Sequence, residues 1–243
     1  MNEYIKQYYK QVEEIVEVCH RDAELGYGPA VSGNVSVRVD EDIVLITPTK
    51  TPKRLIVAED ICVLSLNGDE LYVPDGKRPT GETFMHLHVL RKRPDIKAVI
   101  HAHPPLSTGL STSSGGQKAL RLPLIPEAMM QLGPVITVPY ANPCMKDLGY
   151  QLDPVMDASN AFVLESHGAL VCSPKGVLEA IESLQVMESL AESIIVGRIM
   201  GKTLKVLTRE DVLGIDEVIR ELGWELPGAP GRYASVSEMF YAH

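Results

Sequence analysis

The chain has 243 residues, 45% of them apolar and 23% charged, which are globular proportions and exclude disorder as the main state. A net charge of −9 with no basic run excludes a nucleic-acid binder and a protein drawn to anionic membranes. The apolar runs fall short of the roughly 18 residues that a membrane span needs.

Met1-Asn2-Glu3-Tyr4 has no basic stretch followed by an apolar one, so no secretory leader is read there. Ile5, Tyr8, Val12, Ile15, Val16 and Cys19 recur at helical spacing. They predict one amphipathic helix over 3–25, ending before Gly26 and Gly28-Pro29. Val35, Val37 and Val39 alternate with Ser36 and Arg38, and Asp40-Glu41-Asp42 turns the chain into Ile43–Ile46, a hairpin pattern. A second hairpin joins 61–66 to 70–73 around Asn67-Gly68-Asp69. Thr80 is placed to cap a helix over 81–92, which must end before Pro94.

Residues 97–103 read as a strand stopped by Pro104-Pro105. Ser107–Gly116 is a helix start or a flexible loop; within it Ser113-Ser114-Gly115-Gly116 resembles a phosphate cradle but lacks its Lys, and reads as loop. Short strands follow at 135–140 and 161–166, and 168–172 continues a hairpin from the latter. A long helix over 174–200, a short one over 209–222 and a Pro/Gly-rich tail from about residue 224 close the chain. With no internal repeat and no linker, 1–243 reads as a single domain. Cys19, Cys62, Cys144 and Cys172 are scattered and form no CxxC, which fits reduced thiols in a cytoplasmic protein.

The strongest chemical signal is His101-Ala102-His103. In a strand, positions i and i+2 share a face about 7 Å apart, so the two imidazoles can converge on one ion. Alone, such a pair is more often two satisfied polar residues at a strand end. Two further positions change that balance. His167 ends a separate strand and is followed by Gly168. Glu82 lies in the first turn of the helix that leads into the His-x-His strand. A helix packed antiparallel to its following strand brings its N-terminus near that strand's C-terminal end. A lone carboxylate at a helix start ordinarily serves the helix dipole; here the order Glu, His-x-His, His-Gly favours a site. Three imidazoles and a carboxylate suit zinc, with manganese or cobalt also possible. His86, four residues after Glu82 on the same helix face, is placed to orient the carboxylate or a substrate hydroxyl, although a lone His is more often a bystander.

Gly33-Asn34-Val35-Ser36-Val37-Arg38, Ile46-Thr47-Pro48-Thr49, Pro79-Thr80-Gly81-Glu82, Arg93 through His103 and Ser166-His167-Gly168 occur in the order seen in class II aldolase/adducin-type proteins. The chain resembles that family over roughly residues 8–200, and the ordered set is far more specific than any one piece. The resemblance implies an α/β fold: a three-layer α/β/α domain around a central, mostly antiparallel sheet. It also implies a homotetramer with sites between subunits. It makes His101, His103 and His167 zinc ligands. It makes Glu82 a catalytic carboxylate that also reaches the metal.

By the same resemblance, Gly33, Asn34, Thr49, Thr80 and Gly81 fall at positions that hold a substrate phosphate, with Lys50 beside them. A tail tyrosine, Tyr233 or Tyr241, would serve the aldehyde side, with Tyr140 a third candidate. The implied reaction is reversible cleavage of a small ketose 1-phosphate, L-fuculose-1-phosphate-like, to dihydroxyacetone phosphate and an aldehyde through a metal-stabilised enediolate. A decarboxylase, dehydratase or epimerase of a sugar (acid) phosphate is the alternative on the same metal site. A metal-free, adducin-like interaction domain is the alternative of another class. Three departures bear on the substrate: the family pattern has Gly at Lys50, Ser-Ser at Thr80-Gly81 and Asn at Ser166.

Overall fold

The computed structural model describes residues 1–241. It opens with α1 (Glu3–Gln7) and α2 (Tyr9–Glu24). The single helix predicted over 3–25 is interrupted at Tyr8, where φ is −108° and ψ 29°. Tyr8 is buried and its hydroxyl donates to Asp40 at 3.2 Å, so a tertiary anchor overrides the helical period there.

The two predicted hairpins form as β1 (Asn34–Asp40) with β2 (Ile43–Ile46), and β3 (Cys62–Ser65) with β4 (Glu70–Tyr72). Next come α3 (Thr83–Lys92) and β5 (Ala98–Ala102). Where a helix start and a loop were both open, the chain makes two short helices, α4 (Pro105–Ser111) and α5 (Ser114–Leu120). Ser113 caps α5, its hydroxyl oxygen accepting the Gly116 N–H at 3.1 Å, so the cradle-like run is a helix start and not a loop. Then follow α6 (Pro126–Leu132), β6 (Ile136–Val138) and α7 (Lys146–Tyr150). Helices α6 and α7 are too short to show a period in the sequence. The hairpin of β7 (Ala161–Leu164) and β8 (Gly168–Ser173) precedes α8 (Val177–Gly201), α9 (Arg209–Leu222) and α10 (Val236–Tyr241). The tail is thus partly helical. Among the described residues no helix is long and apolar enough to cross a membrane.

The eight strands of the described residues share one sheet in the order β4-β3-β2-β1-β5-β8-β7-β6. Every pairing is antiparallel except β6 with β7. The pleat sends alternate side chains to opposite faces, and each face has its own core. Val35, Val37, Ala98, Ile100 and Ala102 join α2 and α8 on one face. Val44, Ile46, Val99, Phe162 and Leu170 join α3 and α7 on the other. The result is the expected α/β/α layering, with β5 near the middle.

One buried contact ties the long helix to α4, the helix that follows the histidine-bearing strand. Glu188 on α8 accepts the N–H groups of Leu106 at 2.6 Å and Ser107 at 2.9 Å, two donors that the start of α4 leaves unpaired. Glu188→Ala is expected to cost about 2 kcal/mol, because both buried donors lose a charged acceptor. Urea denaturation measures this; an unchanged midpoint would show that the carboxylate is dispensable to α4.

Candidate metal centre and active site

Strand parity builds the site. Val35 and Val37 point to the α2/α8 face, so Asn34 and Ser36 point to the α3 face. On β5 the same rule sends His101 to the α3 face beside Val99. Asn34 is directly opposite His101 in the β1–β5 register. Helix α3 lies over these positions and supplies His86, with Glu82 at the position before its first residue.

Glu82 is not in the first helical turn as expected but at the position before it. Thr80 explains the shift. Its hydroxyl oxygen accepts the Glu82 N–H at 3.3 Å, and its carbonyl accepts from both the Thr83 N–H and the Thr83 hydroxyl. This turn delays the helix and aims the carboxylate at the strands. His103 is also one residue beyond the end of β5; its N–H donates to the Tyr27 carbonyl at 2.7 Å.

The three imidazoles of His101, His103 and His167 each offer one ring nitrogen, and these nitrogens lie within 4.8 Å of one another. The ring centroids are 4.7 to 5.2 Å apart. Glu82 bridges two of them, with Oε2 at 3.3 Å from His101 Nε2 and Oε1 at 3.4 Å from His167 Nε2. Three observations fit this donor set to a divalent ion. His101 Nδ1 donates to the Ala169 carbonyl at 2.8 Å, which leaves Nε2 a bare lone pair facing His103 Nε2 at 3.1 Å. Glu82 Oε1 and His167 Nδ1 are buried without a hydrogen-bond partner. Burial also pushes His101 down to about 4 and lowers His103 and His167, so the imidazoles are neutral, the form that ligates. For Glu82, burial alone would raise the pKa; the His101 imidazole and the Asn34 amide outweigh it and hold the carboxyl below its ordinary value. A negative, imidazole-lined cavity could hold a cation by charge as well as by shape.

Gly168 makes the cluster possible. A Cβ there would lie 2.4 Å from the Ala102 carbonyl oxygen, 2.8 Å from His103 Cδ2 and 3.1 Å from His101 Cε1. The left-handed residue before the histidine, Ser166 (φ 55°), is held by its N–H donating to Ser111 Oγ at 3.0 Å.

A cavity of about 180 Å³ opens in front of the triad. Gly33, Asn34, Thr49, Thr80, Gly81 and Glu82 line it together with His103 and His167, while His101 sits behind them at 1% exposure. Lys50 does not line it. Its side chain is exposed, and its backbone is left-handed (φ 56°), the conformation that suits the Gly of the family pattern. The departure at Gly81 also has a steric partner: a Cβ there would lie 2.6 Å from Cys144 Sγ, so the thiol occupies the space of the expected serine side chain. Asn34 does not offer a free amide to the cavity; its Nδ2 donates to Glu82 Oε2 at 2.8 Å.

The tail tyrosines lie elsewhere in this chain. The Tyr241 hydroxyl donates to the Leu207 carbonyl, and Tyr233 lies under the Arg232 guanidinium at 4.8 Å. Tyr140 is exposed and donates to Asn142 at 3.1 Å. His243 lies outside the described residues. Sequence reasoning gave no role to Ser36 or Cys144, since their side chains belong to the site only by strand register and loop packing. A larger cavity, about 680 Å³, lies near Trp224 between α6 and α8 and holds none of the predicted site residues.

Fold, histidine cluster and cavity together define a class, and the comparisons agree. The class II aldolase and adducin N-terminal domain matches residues 13–195, and the chain belongs to that family. It is 30% identical to 3-oxo-tetronate 4-phosphate decarboxylase of Pectobacterium atrosepticum, over 82% of this chain and 89% of that one. It is 32% identical to L-fuculose phosphate aldolase of Methanococcus maripaludis, over 74% of this chain and 93% of the other. A Klebsiella pneumoniae structure described as an aldolase/epimerase/decarboxylase is 26% identical, with a TM-score of 0.77, over 85% and 98% of the two chains.

Two outcomes test the geometry. Gly168→Ala is expected to lower the bound-metal-to-protein ratio well below that of the wild type, read by atomic absorption after loading with a divalent ion and dialysis; full retention would show that the strands can part without moving the triad. Lys50→Gly is expected to stabilise the fold by about 1 kcal/mol by relieving the left-handed backbone, with metal uptake unchanged, as read by thermal denaturation and the same metal assay.

Proposed function

We propose that the protein is a metal-dependent lyase that makes and protonates the enediolate of dihydroxyacetone phosphate by releasing CO2 from a 3-oxo-tetronate 4-phosphate. The observation that carries this reading is the buried Glu82 carboxylate, 3.3 and 3.4 Å from two imidazoles of a three-histidine cluster at the back of a small cavity. The decarboxylase name of a relative aligned over 82% of the chain supports the substrate class.

In the proposed site His101, His103 and His167 hold zinc, or manganese or cobalt in its place. When bound, the ion supplies Lewis-acid stabilisation of negative charge on a substrate oxygen. The rest falls to the chain. Breaking the bond between C1 and C2 of the 3-oxo acid releases CO2 and leaves the electron pair on C2, delocalised onto the C3 oxygen. A proton at C2 then gives dihydroxyacetone phosphate. Glu82 handles that proton: in reverse its carboxylate removes it from the hydroxymethyl carbon, and by microscopic reversibility it delivers it in the forward direction. Thr49, Thr80 and Gly33 border the cavity where the phosphate would enter.

Aldol cleavage of a ketose 1-phosphate is the second reading, favoured by the 32% identity to an L-fuculose phosphate aldolase. It ends in the same enediolate, with an aldehyde leaving in place of CO2, and it is the reading in which Tyr233 or Tyr241 of a neighbouring copy would face the aldehyde. Association of copies is supported by exposed apolar side chains at the end of α8 and on α9, including Ile199, Met200 and Leu222.

The shared step is tested by incubating the zinc-loaded protein with dihydroxyacetone phosphate in D2O. Stereospecific loss of one hydroxymethyl proton by NMR, abolished by a chelator, is expected. Glu82→Gln should slow it by about 10²–10⁴-fold while keeping zinc. Release of CO2 from 3-oxo-tetronate 4-phosphate establishes the first reading; exchange without such release moves the assignment to the aldolase. No exchange with zinc verified in place refutes both.

A further inference from the structure

A line of buried hydrogen bonds runs behind Glu82, away from the cavity. Asn34 Nδ2 donates to Glu82 Oε2 at 2.8 Å. Asn34 Oδ1 lies 2.5 Å from His86 Nε2, and His86 Nδ1 lies 2.7 Å from Ser36 Oγ. His86 is 0% exposed, Ser36 0% and Asn34 6%, so bulk water does not compete for these groups.

The proton positions follow from the carboxylate outward. An ionised carboxylate only accepts, so Asn34 must present its NH2 group to Glu82. Its oxygen then faces His86 and requires a donor there. His86 therefore carries its proton on Nε2, leaving Nδ1 as an acceptor, and the Ser36 hydroxyl donates to it. Reversing any one link would set two donors or two acceptors face to face, which costs the full desolvation of a buried polar group. Both ring nitrogens of His86 are engaged in the dry interior, which holds this single tautomer.

We propose that His86, acting through Asn34 and fixed by Ser36, is a positioning residue that locks the Glu82 carboxylate in one orientation, with Oε2 tied down and Oε1 left without a partner for the reacting proton. Asn34 thereby serves the carboxylate, a role different from the phosphate contact that the family resemblance assigns to it. The chain joins β1 to α3 across the sheet face, so the orientation depends on the register of two strands and a helix and not on the rotamer of Glu82 alone. The proposal rests on the reading of Glu82 as the proton-transfer group.

The test is deuterium exchange on dihydroxyacetone phosphate by zinc-loaded variants, with zinc content and the KM for dihydroxyacetone phosphate measured in parallel. His86→Leu is expected to lower the exchange turnover by about 10–100-fold, the usual effect of removing an outer partner of a site group, with KM and zinc unchanged. His86→Gln, which keeps an N–H toward Asn34, should recover most of the loss. The double variant His86→Leu/Asn34→Ala should be no slower than Asn34→Ala. Should His86→Leu fail to fold, Ser36→Ala is the second arm, with a loss of about fivefold expected from one hydrogen bond.

A readout free of turnover is the Asn34 side-chain amide in the ¹⁵N NMR spectrum of the metal-free protein, identified by its loss in Asn34→Ala. Its two protons should be widely separated and slow to exchange with solvent in the wild type, and collapse toward solvent-exposed values in His86→Leu. Wild-type turnover in His86→Leu beside an inactive Glu82→Gln overturns the relay alone. Wild-type turnover in Glu82→Gln overturns the proton-transfer reading, and the Asn34 amide signals then decide whether the carboxylate is held at all.

Discussion

The site depends on β5 being paired along both edges. On one side Asn34 of β1 lies opposite His101, and on the other Ala102 lies opposite Ala169 of β8. The first pairing brings the amide that holds Glu82 alongside a histidine of the cluster. The second brings the Ala169 carbonyl to His101 Nδ1 and leaves no room for a side chain at Gly168. Neither flank can move without moving a donor atom, so two antiparallel ladders set the geometry of the cluster. Rigid strand ends are well suited to this, because their positions are over-determined by backbone hydrogen bonds on both sides.

The same arrangement is costly to the fold. A carboxylate at 7% exposure, with one oxygen lacking any partner, and two imidazole nitrogens 3.1 Å apart are unfavourable in a protein interior. The surrounding structure holds them in place. Asn34 satisfies one carboxylate oxygen, the Ala169 carbonyl satisfies one imidazole, and both cores pack against the strands from opposite faces. Unpaired acceptors therefore concentrate where a cation would be drawn, while the Asn34, His86 and Ser36 side chains behind Glu82 are hydrogen-bonded to one another. That contrast, more than the presence of histidines, distinguishes a site from a set of satisfied polar residues.

Much of this was legible in the sequence. Alternation of Val35, Val37 and Val39 gave β1, and with it the face of Asn34 and Ser36. Glu82, His101-x-His103 and His167-Gly168 were separated by elements whose order predicted their meeting. What escaped had physical causes. Helix α3 starts late because a Thr80 turn competes with the first helical hydrogen bonds, a contest that spacing does not reveal. The link from His86 to Glu82 runs through Asn34 and not along the helix, so the i, i+4 relation pointed to the right carboxylate by the wrong route. Lys50 was expected at the anion, yet its left-handed backbone marks it as a turn residue with an exposed side chain. Cys144 filling the space beside Gly81 depends on a loop that no period describes.

Decarboxylation and aldol cleavage put the electron pair on the same carbon beside the same oxygen, and in the proposed site both would use the same carboxylate. The groups that serve that carbon need not differ between them. Discrimination belongs to whatever surrounds the departing fragment, a small linear CO2 in one case and a larger aldehyde in the other. In this chain the departures from the family pattern do not touch His101, His103, His167 or Glu82. They fall at Thr80-Gly81, which line the cavity beside Cys144, and at Lys50 and Ser166, two left-handed residues next to Thr49 and His167 of its lining. Under the proposed function, a change confined to those positions would leave enediolate chemistry in place and alter the shape offered to the substrate. The choice between the two proposed reactions would then belong to the residues around the cavity, with the histidine cluster at its base common to both.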